Sequence, residues 1–174
     1  MNWTELLKKE IEQAYQVTER LMDLVVDKEL NWKPSTGTNW MTMGQLLMHI
    51  TGSCGACCRG FVTGDWGMPE GMDAGNMSPE DMLPPAEKLP FVRSVAEAKR
   101  LLAEDKKVAL EMLTKSGERD LVDRRVKAPW DPTDKMLGSC LLEMVGHLNL
   151  HKAQLFYYLK LQGKPVNTGH LWGM

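Results

Sequence analysis

Apolar positions recur at helical spacing along four segments of the chain. In the first, from about Trp3 to Val26, Trp3, Leu7, Ile11, Ala14, Leu21 and Val25 follow one another at intervals of three, four and seven. The second begins at Thr42-Met-Gly-Gln45, which has the form of a capping box, and continues through Leu46, Leu47 and Ile50 to about Val62. The third opens on another capping box, Ser94-Val-Ala-Glu97, and carries Leu101, Leu102, Val108, Leu110, Met112 and Leu113. The fourth runs from about Lys135 to Gln162, where Gly163 can supply a left-handed stop and Pro165 prevents resumption.

The connections differ in kind. Residues 27–41, with Pro34 and Gly37, read as an ordinary loop. Residues 64–91 are rich in Gly and Pro and exceed the roughly 12–15 residues at which structureless loops become uncommon. A helix of about 20 residues spans about 30 Å, so a connection of this length suits a crossover between two parallel helices. Residues 116–134 include the alternating stretch Leu121-Val-Asp-Arg-Arg-Val126, which predicts an extended segment, followed by Pro129-Trp130-Asp131-Pro132. The pattern therefore predicts one all-α domain over residues 1–174, a bundle of four long helices with one long crossover between helices 2 and 3.

Composition narrows the function. The 174 residues carry a formal net charge of −2, which argues against a broad nucleic-acid-binding surface. No apolar run reaches the roughly 18 residues of a membrane span. The start, Met1-Asn2-Trp3-Thr4-Glu5, has no basic region leading into an apolar stretch, so no secretory signal is expected. Three of the four cysteines (Cys54, Cys57, Cys58 and Cys140) crowd together, a poor disulfide framework that points to a reduced, cytoplasmic protein. Methionine reads mainly as flexible core filling, although Met68, Met72, Met77 and Met82 sit in the long connection, where they could form an adaptable lid.

The histidines carry the sharper signal. His147 and His151 lie four residues apart on the fourth helix, about 40° apart around the axis, so both imidazoles can reach one ion. His49 lies on the second helix, and a bundle can bring it opposite the pair. Three neutral imidazoles suit a divalent metal and leave coordination positions open for water or substrate. Spacing alone also fits solvated or core histidines, and no Glu follows His147 to make the HExxH zinc-protease pattern. Gln154 shares the face and can orient a ligand or a bound water, or serve as an ordinary polar helix residue.

Three passages resemble the DinB-like superfamily, also described as DinB/YfiT-like metalloenzymes. They are Asn39-Trp40-Met-Thr-Met-Gly-Gln-Leu-Leu-Met-His49-Ile50, His147-Leu-Asn-Leu-His151-Lys-Ala-Gln154-Leu155 and Leu159-Lys-Leu-Gln-Gly163-Lys-Pro165-Val166. Pro129-Trp130 before the last helix also fits. The resemblance implies an up-down-down-up four-helix bundle and a metal site of His49, His147 and His151 holding one divalent ion. Imidazole suits Zn, Ni and Fe alike, so the ion's identity is not legible. It further implies a homodimer and, among relatives, transfer of a low-molecular-weight thiol of the bacillithiol or mycothiol type to a small-molecule substrate. Metal-assisted hydrolysis and a non-catalytic, stress-related ligand-binding bundle stay open beside thiol transfer.

Other residues read more plainly. On a continuous second helix Cys54 and Cys58 point away from His49 and Cys57 is two turns along, so the three read as packing residues among small neighbours. Cys140 reads as a buried inert thiol, His170 as a solvated tail residue and Arg59 as a solvated helix end. Trp40 and Trp130 precede the two histidine-bearing helices and can either wall a pocket or staple a helix start.

Overall fold

In the computed structural model the described residues are 2–67 and 84–174, and they are mostly helical. The helices are α1 (Trp3–Met22), α2 (Met43–Ile50), α3 (Gly55–Thr63), α4 (Val95–Asp123), α5 (Leu137–Leu161) and the short α6 (Thr168–Trp172). Strands β1 (Arg125–Ala128) and β2 (Asp131–Met136) pair antiparallel between α4 and α5.

Helix starts follow side-chain capping. Asn2 accepts from the Glu5 amide at 2.9 Å while the Glu5 carboxylate takes the Asn2 amide, closing a capping box on α1. Thr42 and Gln45 close the expected box on α2, with bonds of 2.8 and 3.2 Å. Ser94 caps α4 by accepting from the Glu97 amide at 3.0 Å, but the Glu97 carboxylate reaches past it to the Arg93 amide. Longer-range carboxylates complete the ends. Asp27 accepts from the Val95 amide at the start of α4, and Glu118 on α4 accepts from the Trp3 and Thr4 amides at the start of α1.

The core lies between these helices. α1 packs on α4 and α5, and α3 packs on the same two. Leu7, Ile11, Leu21, Leu46, Leu47, Ile50, Leu121, Leu148 and Leu159 are almost wholly buried. Met22 and Met43 are also fully buried, as core filling predicts. The four methionines of the long connection, and most of that connection, lie outside the described residues.

Three expectations change. The first helix ends at Met22, and Val25 enters the core from the turn that follows. The stretch from Leu121 is not extended at its start: α4 bends at Gly117 (φ 68°) and continues to Asp123, which carries Leu121 into the core. Only a glycine takes that left-handed conformation at low cost.

The third change bears on the site. The second helix is not continuous from Thr42 to Val62 but breaks at residues 51–54 into α2 and α3. Thr51 and Ser53 turn their hydroxyls onto the Met48 and Ile50 carbonyls, at 2.7 and 3.0 Å, which competes with continuation of the ladder. The new helix starts against Asp105 of α4, whose carboxylate accepts from the Gly55 and Ala56 amides at 2.9 and 2.8 Å. A β-carbon at Gly55 would stand 2.0 Å from the Asp105 carbonyl oxygen, so glycine is required for this approach.

Candidate metal centre

His49 lies near the C-terminal end of α2, while His147 and His151 lie one turn apart on α5. Each keeps part of its surface exposed. The structure brings all three together. Nε2 of His151 is 3.0 Å from Nε2 of His49 and 2.9 Å from Nε2 of His147.

The outer nitrogens of the α5 pair have acceptor partners. Nδ1 of His147 donates to the Ser53 carbonyl at 3.0 Å. Nδ1 of His151 donates to Oε1 of Gln154, also at 3.0 Å. One turn further along α5, the Tyr158 hydroxyl donates to the Met41 carbonyl at 3.0 Å. Trp32 and Trp40 pack edge-on against Tyr158, with ring centroids 5.4 and 6.2 Å away. The Gln154 side-chain oxygen faces His151.

These bonds decide the tautomers. A neutral imidazole that donates through Nδ1 presents a bare lone pair at Nε2. The Nε2 atoms of His147 and His151 therefore face each other at 2.9 Å without a proton between them, an arrangement relieved by a cation in the gap. Metal–nitrogen bonds of about 2.0–2.1 Å meeting near a right angle put neighbouring nitrogens roughly 3 Å apart, so the donor set fits a divalent ion. Burial pushes His49 down to about 4, helped by His151 and His147, and burial also lowers His151. Both rings are accordingly neutral near pH 7, the form that binds metal.

The remaining candidates stay apart from the cluster. His170 is exposed on α6, where Nδ1 lies 3.1 Å from the Asn167 side-chain oxygen. All four cysteines are free thiols. Burial pushes Cys57 up to about 11 and raises Cys140, while a hydrogen bond with Cys54, together with burial, raises Cys58. Such thiols stay protonated at neutral pH, consistent with packing. Arg59 lies 3.3 Å from Asp65. Trp130 joins Trp66 and Phe61 in an edge-to-face aromatic group, with centroids 5.3 and 6.3 Å from it.

Two features around the α2–α3 break were not expected from sequence. The Ser53 carbonyl becomes an acceptor only because the helix breaks there, and Gly52-Ser53 was the available hint. Asp105 interrupts an otherwise apolar stripe of α4, Ala98, Leu102, Ala109 and Leu113, all buried with it. A carboxylate at such a position signals a specific partner.

The fold and the cluster define a helical protein with three convergent imidazoles compatible with a metal site. A family model of the DinB superfamily matches residues 10–155, and the chain belongs to that superfamily. No curated protein matches the sequence.

Proposed function

We propose that His49, His147 and His151 hold one divalent metal ion and that the protein is a metal-dependent enzyme. The observation that carries this reading is the convergence of three Nε2 atoms, two of them with their outer nitrogens fixed as donors. A divalent ion bound there supplies Lewis acidity, lowering the pKa of a thiol or water that joins it. The chain's own contribution is orientation. Ser53 and Gln154 fix the two α5 rings, and burial keeps His49 free of protons.

Thiol transfer is the leading reaction, with a low-molecular-weight thiol as one substrate and a small electrophile as the other. It is supported by superfamily membership and by Cys57, Cys58 and Cys140, whose thiols are raised in pKa and suit packing better than nucleophilic attack, which favours a thiol supplied from outside. Hydrolysis needs the same ligand set with water in place of thiol. The discriminating experiment loads the protein with Co(II) and adds thiols and then electrophiles. A sulfur-to-cobalt charge-transfer band followed by thioether formation, lost in His147→Ala/His151→Ala, supports transfer. Ester or amide cleavage with no thiol dependence supports hydrolysis.

The wider reading is a single cytoplasmic domain with an up-down-down-up path through α1, α2–α3, α4 and α5. Supporting it, Trp3 and Thr4 meet Glu118 late in α4, while Glu19 and Asp23 meet Lys99 early in it. Homodimerisation is supported by Leu150, Tyr157 and Leu161, which are 71, 60 and 64% exposed on one side of α5.

A further inference from the structure

The three imidazoles are held unequally. Nδ1 of His147 donates to the Ser53 carbonyl and Nδ1 of His151 to Oε1 of Gln154, each at 3.0 Å. Among the described residues His49 bonds only through Nε2, to His151, and its Nδ1 has no partner. Nor is that nitrogen sealed in: the buried side-chain nitrogens and oxygens without a partner among the described residues are Arg59 Nε and Gln162 Oε1. Backbone support differs in the same sense. His147 and His151 lie well inside the 25-residue α5, whereas His49 is the last residue but one of the eight-residue α2. The break at residues 51–54 follows directly, and helix ends fray more readily than interiors.

We propose that His49 is the weak, exchangeable member of the ligand set, and that a thiol or water reaches the ion from its side of the cluster. The proposal rests on the metal-site reading. An acceptor on the outer nitrogen fixes the tautomer and ring angle of a ligating imidazole and raises the basicity of its inner nitrogen. Loss of such a partner costs roughly 10–100-fold in metal affinity. The two α5 rings have that support and His49 lacks it, so its hold is weaker by a factor of that order. The placement of protons adds to the difference. His151 uses its N–H on Gln154, so its Nε2 offers only a lone pair to Nε2 of His49, 3.0 Å away. The proton in that bond belongs to His49. A neutral imidazole carries one N–H, so His49 must move it from Nε2 to Nδ1 before Nε2 can bind a metal, while the α5 rings bind as they stand. When His49 lets go, Ser53 and Gln154 still hold the other two rings in place.

Three readouts on the full-length protein test this. Without metal, long-range ¹H–¹⁵N spectra show His147 and His151 protonated at Nδ1 and His49 at Nε2. Chelator competition then ranks Co(II) affinities: His49→Ala loses at least about tenfold less than His147→Ala or His151→Ala. His49→Gln decides the matter if His49→Ala does not fold. In the Co(II)-loaded wild type, the shifted imidazole N–H signals of His147 and His151 persist on transfer to D₂O, and that of His49 vanishes first. Equal losses from the three single substitutions overturn the proposal. So does a His49 found protonated at Nδ1 in the metal-free protein, or a His49 N–H that exchanges as slowly as the other two. A wild type that takes up no Co(II) overturns the metal-site reading itself, whereas Co(II) held equally by all three histidines overturns only the special place of His49.

Discussion

Oε1 of Gln154 lies 3.0 Å from Nδ1 of His151, three residues earlier on α5, and this bond decides which nitrogen His151 turns towards His49 and His147. Replacing Gln154 by Leu removes the acceptor and frees the ring to flip or change tautomer. Metal affinity should fall roughly 10–100-fold with little loss of secondary structure. Competition against a chelator of known affinity measures the first, and circular dichroism the second.

The neutral state of His49 sets a pH dependence. Its folded-state pKa is about 4, against an ordinary 6.5. Above 6.5 the ring is neutral in both folded and unfolded chains and contributes nothing to the pH dependence. Below 6.5 the unfolded chain takes the proton first, so stability of the metal-free protein is lost as pH falls from 6.5 towards 4. His151 acts in the same direction. Urea midpoints across this range should fall more steeply for the wild type than for His49→Gln.

Two glycines three residues apart should respond oppositely. Gly55→Ala places a β-carbon 2.0 Å from backbone oxygen of Asp105. Relief requires α3 and α4 to separate, at a cost of about 3 kcal/mol. Around Gly52 a β-carbon would meet nothing within 4 Å, so Gly52→Ala should be neutral or stabilising by up to about 1 kcal/mol. Chemical denaturation of both variants checks the contrast.

The start of the helix that carries His49 depends on Thr42. Thr42→Ala removes the acceptor for the Gln45 amide and should cost about 1 kcal/mol. Gln45→Ala should cost more. Besides closing the box, its side-chain amide bonds the Ala86 and Leu89 carbonyls at 2.6 and 3.0 Å, both of which lose their partner. Thermal unfolding of the two variants orders them.

These outcomes also mark where sequence was readable. The starts at Thr42 and Ser94 were legible because capping is local and uses side chains a few residues apart. The His147–His151 pair was legible because four residues make one helical turn. The break between α2 and α3 was not, since Gly52, Ser53, Gly55 and Ala56 read equally well as small residues for close packing. What caps the restart of the helix is Asp105, fifty positions away from Gly55, and no local pattern reports which amide a distant carboxylate will cap. The continuation of α4 past Gly117 escaped for a related reason: burial of Leu121 outweighs one unfavourable glycine. The cysteines kept their packing role, although the angular argument for it assumed a continuous helix that the structure does not have.

The central claim is that three imidazoles share one ion. It is tested most directly by elemental analysis of freshly purified wild type beside His147→Ala/His151→Ala, with each loaded separately and then dialysed. The account predicts about one divalent ion per chain in the wild type and a near-complete loss in the double variant, with the fold retained. Equal metal content in the two proteins would contradict it.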